Sequence, residues 1–386
     1  MFEKIAKSKH FKKYTDPQSG VVTYVFDNDY VPHTQSFYFT NPSVSDDGRY
    51  IWMYCAFPPA GDAGVGRSLG LIDLETDTFT HFPNCMFHDA TPLVDTETAI
   101  VYYTDGQGMW KKTPDMQPPE LIAPYPKEMR RHGALRKIAT HLTYGPGKKK
   151  VCFDACVGPM HAVIGDIDME TGEYREWYKY TEHFHNHAQL NPVKPDVMLF
   201  AQEEYADLFT GEMHWITEDE NGKLNRLWTM KYGEEPKKIT PLFKEARHEW
   251  WSADGEIVYY VDWDNGTISY DTRTGELKVI DPNGTWHAHS SKDDKYFVAD
   301  ENEIDGTKWY RGCLSRVHFF NAETGKAVNI VSENPALFTR EKQSRYHTDP
   351  HPQFVYNDKG VAFTATVTGK VSFAITEVAP LIEKTK

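Results

Sequence analysis

At 386 residues, 40% hydrophobic, 25% charged and with a mean hydropathy of -0.61, the chain has the composition of a folded globular protein and carries no apolar stretch long enough to cross a membrane as a helix. Its net charge of -14, from 56 acidic and 42 basic side chains, argues against a nucleic-acid partner, whose phosphates demand a basic surface. The five cysteines are odd in number and scattered through apolar runs, so reduced, mostly buried thiols are expected; Cys152 and Cys156 lack the second cysteine pair of a zinc site.

The N-terminal segment MFEKIAKSKHFKKYTD is basic but has no apolar core of a signal peptide, which points to a cytoplasmic location without a membrane partner. From there on one unit recurs. Its inner half is two apolar strands joined by a polar turn, and it occurs in order as SVSDDGRYIWMYCAF, TPLVDTETAIVYYTD, LTYGPGKKKVCFDAC, QLNPVKPDVMLFAQE, WWSADGEIVYYVDWD, HSSKDDKYFVADENE and PQFVYNDKGVAFTAT. The outer half is an alternating hairpin with a Thr-Gly or Thr-Asp turn, clearest at 68–82, 162–178, 267–281 and 315–331. Additional residues around 203–214, 301–312 and 332–346 read as loops inserted at blade edges, and only 124–140 suggests a loop or short helix. The expected fold is therefore all-β, a seven-bladed β-propeller with four antiparallel strands per blade. No Pro-, Gly- or Ser-rich linker divides the chain, so one domain over 1–386 is expected.

Histidines recur in step with this unit. His88, His141, His187, His248, His287 and His351 each stand at or just before the first strand of a blade. In a propeller those strand ends converge on the central channel, which is what a metal site needs, since imidazole nitrogens must approach the ion from several directions. In HTDPHP, His347, Asp349 and His351 alternate, and alternate residues of an extended segment share a face. His287 and His289 have the same spacing, with His289 expected to support the ligands rather than join them. A lone histidine at a strand end is more often an ordinary hydrogen-bonded residue, and His10, His161 and His318, outside the register, are read that way; His183 and His185 fit a polar loop as well as a pocket.

Four stretches, HAQLNPVKPDVMLFAQE (187–203), RHEWWSADGEIVYYV (247–261), HAHSSKDDKYFVAD (287–300) and DPHPQFVYNDKGVAFTA (349–365), give the chain a resemblance to the oligogalacturonate lyase family, seven-bladed propellers that cleave short pectin fragments in bacterial cytoplasm. The resemblance implies that His248 serves as Brønsted base, that His287 is the first metal ligand and that His351 is the last. The family reads His-Pro-His-Pro with a glutamine three residues earlier; here Asp349 and Tyr346 hold those places, and His347 offers a further nitrogen. The implied cofactor is a divalent metal, Mn²⁺ first, with Zn²⁺ or Ca²⁺ as alternatives. The family's arginine beside the base has no counterpart around Glu212 and Met213, which leaves Arg247 as a substitute.

Cleavage of a uronate chain by β-elimination needs the carboxylate neutralised, a base for the adjacent proton and help for the departing oxygen. The metal and His248 answer the first two needs, with Arg247 assisting. His187, Tyr346 and Arg345 are candidates for contact with an acidic oligosaccharide. Trp250, Trp251, Trp286 and Tyr310 lie near the motifs, although tryptophans such as Trp250 and Trp251 commonly pack between blades. A lyase for another uronate polymer, such as ulvan or a rhamnose-glucuronate linkage, and a non-catalytic binding propeller remain open at this stage.

Overall fold

The turns explain why the inner hairpins form. In blades that read Ser-x-Asp, the serine hydroxyl donates to the aspartate two residues on, Ser45 to Asp47 at 2.6 Å, Ser252 to Asp254 at 2.6 Å and Ser291 to Asp293 at 2.7 Å. The same hydroxyls accept the N–H that opens the returning strand, from Tyr50, Ile257 and Tyr296. Outer hairpins use a different device: Asp168 and Asp271 each accept backbone N–H groups two and three residues ahead. Gly172 and Gly275 then take φ of +72° and +74°, where a side chain would be strained.

A computed structural model describes all residues except 131–134, 158–160, 181–182, 208–209, 211, 302, 305–306 and 309–312. It is all-β, with seven blades arranged as a propeller ring. The innermost strands of blades 1 to 7 are His33–Gln35, Leu93–Asp95, Leu135–Ile138, His183–Leu190, Arg247–Trp251, His287–Ser290 and Gln353–Val355. Most blades have four antiparallel strands, as expected. Blade 7 has five, because the N-terminal strands Phe11–Thr15 and Val22–Phe26 pair onto Ser372–Glu377 outside Gly360–Ala365. The two ends of the chain thus close the ring through hydrogen bonds, leaving the last sheet without an inner gap.

The insertions have structure of their own. Met213–Trp215 adds a strand to Val197–Ala206 in blade 4, Glu303–Ile304 pairs with Thr307–Lys308 beside blade 6, and the helix Arg340–Tyr346 joins blades 6 and 7. The short helix expected near 124–140 is Lys127–Arg130.

Apolar side chains pack in the wedges between neighbouring blades. Trp52, Leu71 and Phe82 of blade 1 meet Val94, Val101 and Tyr103 of blade 2, all buried. Trp250 packs in such a wedge, stacked on Tyr259 at 5.2 Å and donating to Ser290 Oγ of blade 6 at 3.1 Å. Cys55, Cys85 and Cys152 are buried, Cys156 is half-buried and Cys313 is exposed, and all five are free thiols. Among the described residues no helix is long and apolar enough to span a membrane.

Candidate metal centre and catalytic pocket

Strand pairing makes the histidine register explicit. The inner hairpins of blades 3 to 7 close at the backbone pairs Gly145–Lys150, Asn191–Val197, Ser252–Ile257, Ser291–Tyr296 and Val355–Gly360. Four residues before each of these closing positions stand His141, His187, His248, His287 and His351. Blade 2 closes at Asp95–Ile100, so Thr91 holds its equivalent place and His88 lies three residues too early. His88 therefore does not belong to the set.

The backbone is bent to aim these side chains. His187, His248 and His351 adopt φ of 55°, 46° and 46°, a left-handed conformation that costs a non-glycine residue about 1–3 kcal/mol. At His187 and His248 the strand register slips, between Asn186 and Gln189 and between Arg247 and Trp250. Such bulges redirect a side chain without ending the strand, here toward the axis.

On the axis the rings gather around Tyr38, which enters from blade 1 and is 6% exposed. Its ring centroid lies 5.1 Å from His141, 5.1 Å from His351, 6.0 Å from His187 and 6.3 Å from His287. Phe39 beside it touches His248 and His287. His248 and His287 are 4.1 Å apart, and His287 and His351 are 4.2 Å apart.

Four side chains converge as a ligand set: donor atoms of His287, His347, Asp349 and His351 all lie within 4.8 Å of one another. Bonds of about 2.0–2.2 Å to one ion allow ligand separations of up to roughly 4.3 Å, so a contraction of a few tenths of an ångström completes a shell. His347 reaches the group because it caps the helix Arg340–Tyr346 in a left-handed turn, φ 47°. Its Nε2 stands 3.1 Å from Asp349 Oδ2. Asp349 is fully buried, where a cation held by the group would offset the cost of burying its carboxylate. His287 Nδ1 donates to Asp300 Oδ2 at 3.0 Å, which leaves Nε2 as the nitrogen that could hold an ion. The donor set of three nitrogens and one oxygen suits Mn²⁺ or Zn²⁺ better than Ca²⁺, which prefers an all-oxygen shell.

His248 lies next to this set. Its Nδ1 faces the Trp286 carbonyl, so that nitrogen carries the proton and Nε2 keeps its lone pair. Burial, followed by the neighbouring His287, Arg226 and His187, holds its pKa well below the usual imidazole value, and the ring is neutral at pH 7. Arg226 was not found by reading the sequence. This arginine is 3% exposed and stands just before the third strand of blade 4, Leu227–Lys231. It donates to Glu249 Oε2 at 2.7 Å, to Glu203 and to the Ala246 carbonyl at 3.1 Å. Burial opposes its charge, but Glu249 and Glu203 outweigh burial and keep it protonated. Glu249 is pushed up by burial and drawn down by Arg226; its other oxygen lies 3.5 Å from His187 Nδ1. The only trace of Arg226 in the sequence is a cation inside an otherwise apolar strand start, LNRLWTM.

Several sequence-chosen residues are placed elsewhere. Arg247 bonds Glu245 at 2.7 Å and lies 4.0 Å over the Trp263 ring. Trp263 stacks on Trp286, which in turn lies beside His248, so the Arg247 guanidinium is taken up by Glu245 and an indole, and Arg226 is the arginine whose charge acts on the base. Tyr346, a candidate for sugar contact, is 6% exposed and packs edge-on to His33, because the helix it ends turns that face inward. Arg345 is exposed and donates to the Pro59 carbonyl at 3.0 Å. His289 accepts the Phe354 N–H and lines a separate cavity with Phe39 and Trp251 instead of supporting the ligands. His318 is structural, as expected, held between Asp281 and Glu301. Tyr310 lies outside the described residues, as does the His183 side chain.

No protein-family model matches the chain. It is 27% identical over 225 residues to an oligogalacturonide lyase of Pectobacterium atrosepticum and 25% identical over 225 residues to an oligogalacturonate lyase of Dickeya dadantii, covering 55% of this chain and 54% of each relative. The chain thus spans about half the length of these relatives. Among solved structures, an oligogalacturonate lyase in complex with manganese matches with a TM-score of 0.73 at 17% identity, covering 95% of this chain and 96% of that one. An oligogalacturonate lyase of Vibrio parahaemolyticus matches with a TM-score of 0.72 at 16% identity, covering 97% and 98%. At these identities the structures establish a shared fold.

Proposed function

We propose, for a chain that is oligogalacturonate lyase-like in sequence and in fold, that it cleaves a uronate-containing oligosaccharide by metal-assisted β-elimination. The observation that carries this reading is the contact between a neutral histidine and a ligand set, His248 to His287 at 4.1 Å between ring centroids. The manganese in complex with one structural neighbour supports Mn²⁺ as the ion, held by His287, His347, Asp349 and His351. When bound, the ion neutralises the uronate carboxylate and makes the C–H beside it more acidic.

The chain's own residues supply the remaining roles. His248 Nε2 takes the proton α to the carboxylate, and its Nδ1–H, anchored on the Trp286 carbonyl, fixes the tautomer and the ring plane. The electron pair of that C–H bond forms the double bond, and the glycosidic oxygen on the next carbon leaves with the C–O bonding pair and takes up a proton from water. Burial, above all, keeps His248 deprotonated before the reaction, with His287 and the fixed positive charge of Arg226 adding to it. Asp300 orients His287. Asp349 adds negative charge that a wholly histidine ligand set would not.

An ultraviolet assay for the conjugated double bond, on oligogalacturonates with Mn²⁺ or chelator, tests this. Metal-dependent product that falls by about 10²–10⁴-fold in His248→Ala is the expected result. Equal rates with chelator, or an unchanged rate in the variant, would overturn it.

A further inference from the structure

Between blades 3 and 4, beside the histidine pocket, lies a second cavity of about 280 Å³, lined among others by Asp154, Phe184, Asn186, Glu203, Glu204 and Trp215. It is at the small end of ligand pockets, about 300 Å³, with room for a single ring. Two links tie it to the site. Asn186 immediately precedes His187, and Glu203 shares the Arg226 guanidinium with Glu249.

Its wall has an uncommon combination of groups. Trp215 is 65% exposed, on the inserted strand Met213–Trp215 and directly opposite Glu204. An indole left in water at the lip of a polar cavity is a stacking surface for the apolar face of a pyranose. The carboxylates and the Asn186 amide suit the hydroxyls at such a ring's edge. Asn186 donates to Glu203, while its amide oxygen is buried without a hydrogen-bond partner, an acceptor that a ligand donor would complete.

The charge of the cavity selects among sugars. Its described lining includes no lysine or arginine, and its histidine, His185, is buried and stacked on Tyr180. Arg226 stands behind Glu203 and is shared with Glu249, and Glu204 adds a further carboxyl group to the wall, whereas Asp154 accepts the backbone N–H groups of Thr140 and Ala188. A uronate seated here would bring a further like charge beside Glu203 and Glu204 in a partly desolvated space, where repulsion is far less screened than in water.

We infer that this cavity is a subsite for a neutral glycosyl ring joined to the uronate at the histidines, so that the preferred substrate alternates neutral and acidic sugars. This rests on the lyase reading above. Stacking on Trp215 and hydroxyl contacts along Asn186 and Glu204 hold the neutral ring, and the acidic wall makes an all-uronate chain the poorer of two substrates.

Two oligosaccharides of equal length, one alternating neutral and uronic residues and one wholly uronic, test it with manganese-loaded protein. Turnover is followed by absorbance of the unsaturated product, and binding by calorimetry on the manganese-loaded His248→Ala protein. The expected result is tighter binding and higher kcat/KM for the alternating chain. Trp215→Ala should raise its KM about tenfold and change the all-uronate constants less than twofold, and Glu204→Gln should improve only the all-uronate chain. Preference for the all-uronate chain, no binding of either, or equal losses in Trp215→Ala would overturn the subsite. Selective binding of the alternating chain, lost in a Trp215→Ala/His248→Ala protein, without turnover by manganese-loaded wild type, would retain the subsite and overturn the lyase reading.

Discussion

Asp300 grips His287 twice: one carboxylate oxygen lies 3.0 Å from Nδ1 and the other accepts the His287 backbone N–H at 2.6 Å. Both residues are buried, on neighbouring strands of blade 6. The pair fixes where His287 Nε2 points.

Removing half of that grip is expected to weaken metal binding without unfolding the blade. Asp300→Asn should lower Mn²⁺ affinity by about 10–100-fold, measured by electron paramagnetic resonance titration, while the circular dichroism spectrum is unchanged. Retained affinity would show that His287 is oriented by packing against His351 and Phe39 alone.

Arg226 and Glu249 are a buried pair, 3% and 0% exposed. Arg226→Met leaves Glu249 and Glu203 with no guanidinium, and should cost about 3–5 kcal/mol in chemical denaturation. Adding Glu249→Gln to that variant should recover part of the loss, because the more deeply buried of the two carboxyl groups is then replaced by a neutral amide. A double variant less stable than the single one would refute this account.

His318, fully buried, is held charged by carboxylates on both sides, Asp281 at 2.6 Å and Glu301 at 3.0 Å. Burial pushes its pKa down, but the charge and hydrogen bonds of Asp281 and Glu301 prevail and raise it to about 10. A folded pKa above the unfolded value, about 6.5, means the contribution is complete below pH 6.5 and is lost as pH rises toward 10. The melting temperature should therefore fall by several degrees between pH 6.5 and pH 10, and His318→Gln should be less stable at pH 6.5 with a flatter profile. Parallel profiles for the two proteins would count against it.

Tyr346 and Arg345 separate by role. Tyr346→Ala removes a buried ring against His33 at the end of the helix whose cap is His347, so it should lower both thermal stability and Mn²⁺ affinity. Arg345→Ala, on an exposed side chain bonded to the Pro59 carbonyl, should change each by less than twofold or about 0.5 kcal/mol. The contrast is checked by differential scanning calorimetry and metal titration on both variants.

The repeat was legible in the chain because its signals are local. Ser-x-Asp turns, Asx turns before glycine and alternating apolar runs act within a few residues, so the seven inner hairpins, the outer hairpins and the propeller they imply could be read directly. The common spacing of His141, His187, His248, His287 and His351 was visible for the same reason, whereas His88 was misplaced because its offset shows only once Asp95 is paired with Ile100. Tyr38, Arg226 and Trp215 were beyond such a reading. Tyr38, from blade 1, meets the histidines of blades 3, 4, 6 and 7 only when the N-terminal strand Val22–Phe26 closes the ring and seats distant blades around one axis, whereas Arg226 and Trp215 acquire their neighbours from strand pairing within blade 4 and its packing on blade 5. Tyr346 and Arg247 show the converse. Their sequence positions beside His347 and His248 suggested a shared pocket, but adjacent residues of a helix or strand point to different sides, and packing against His33 and Trp263 settled which side each one took.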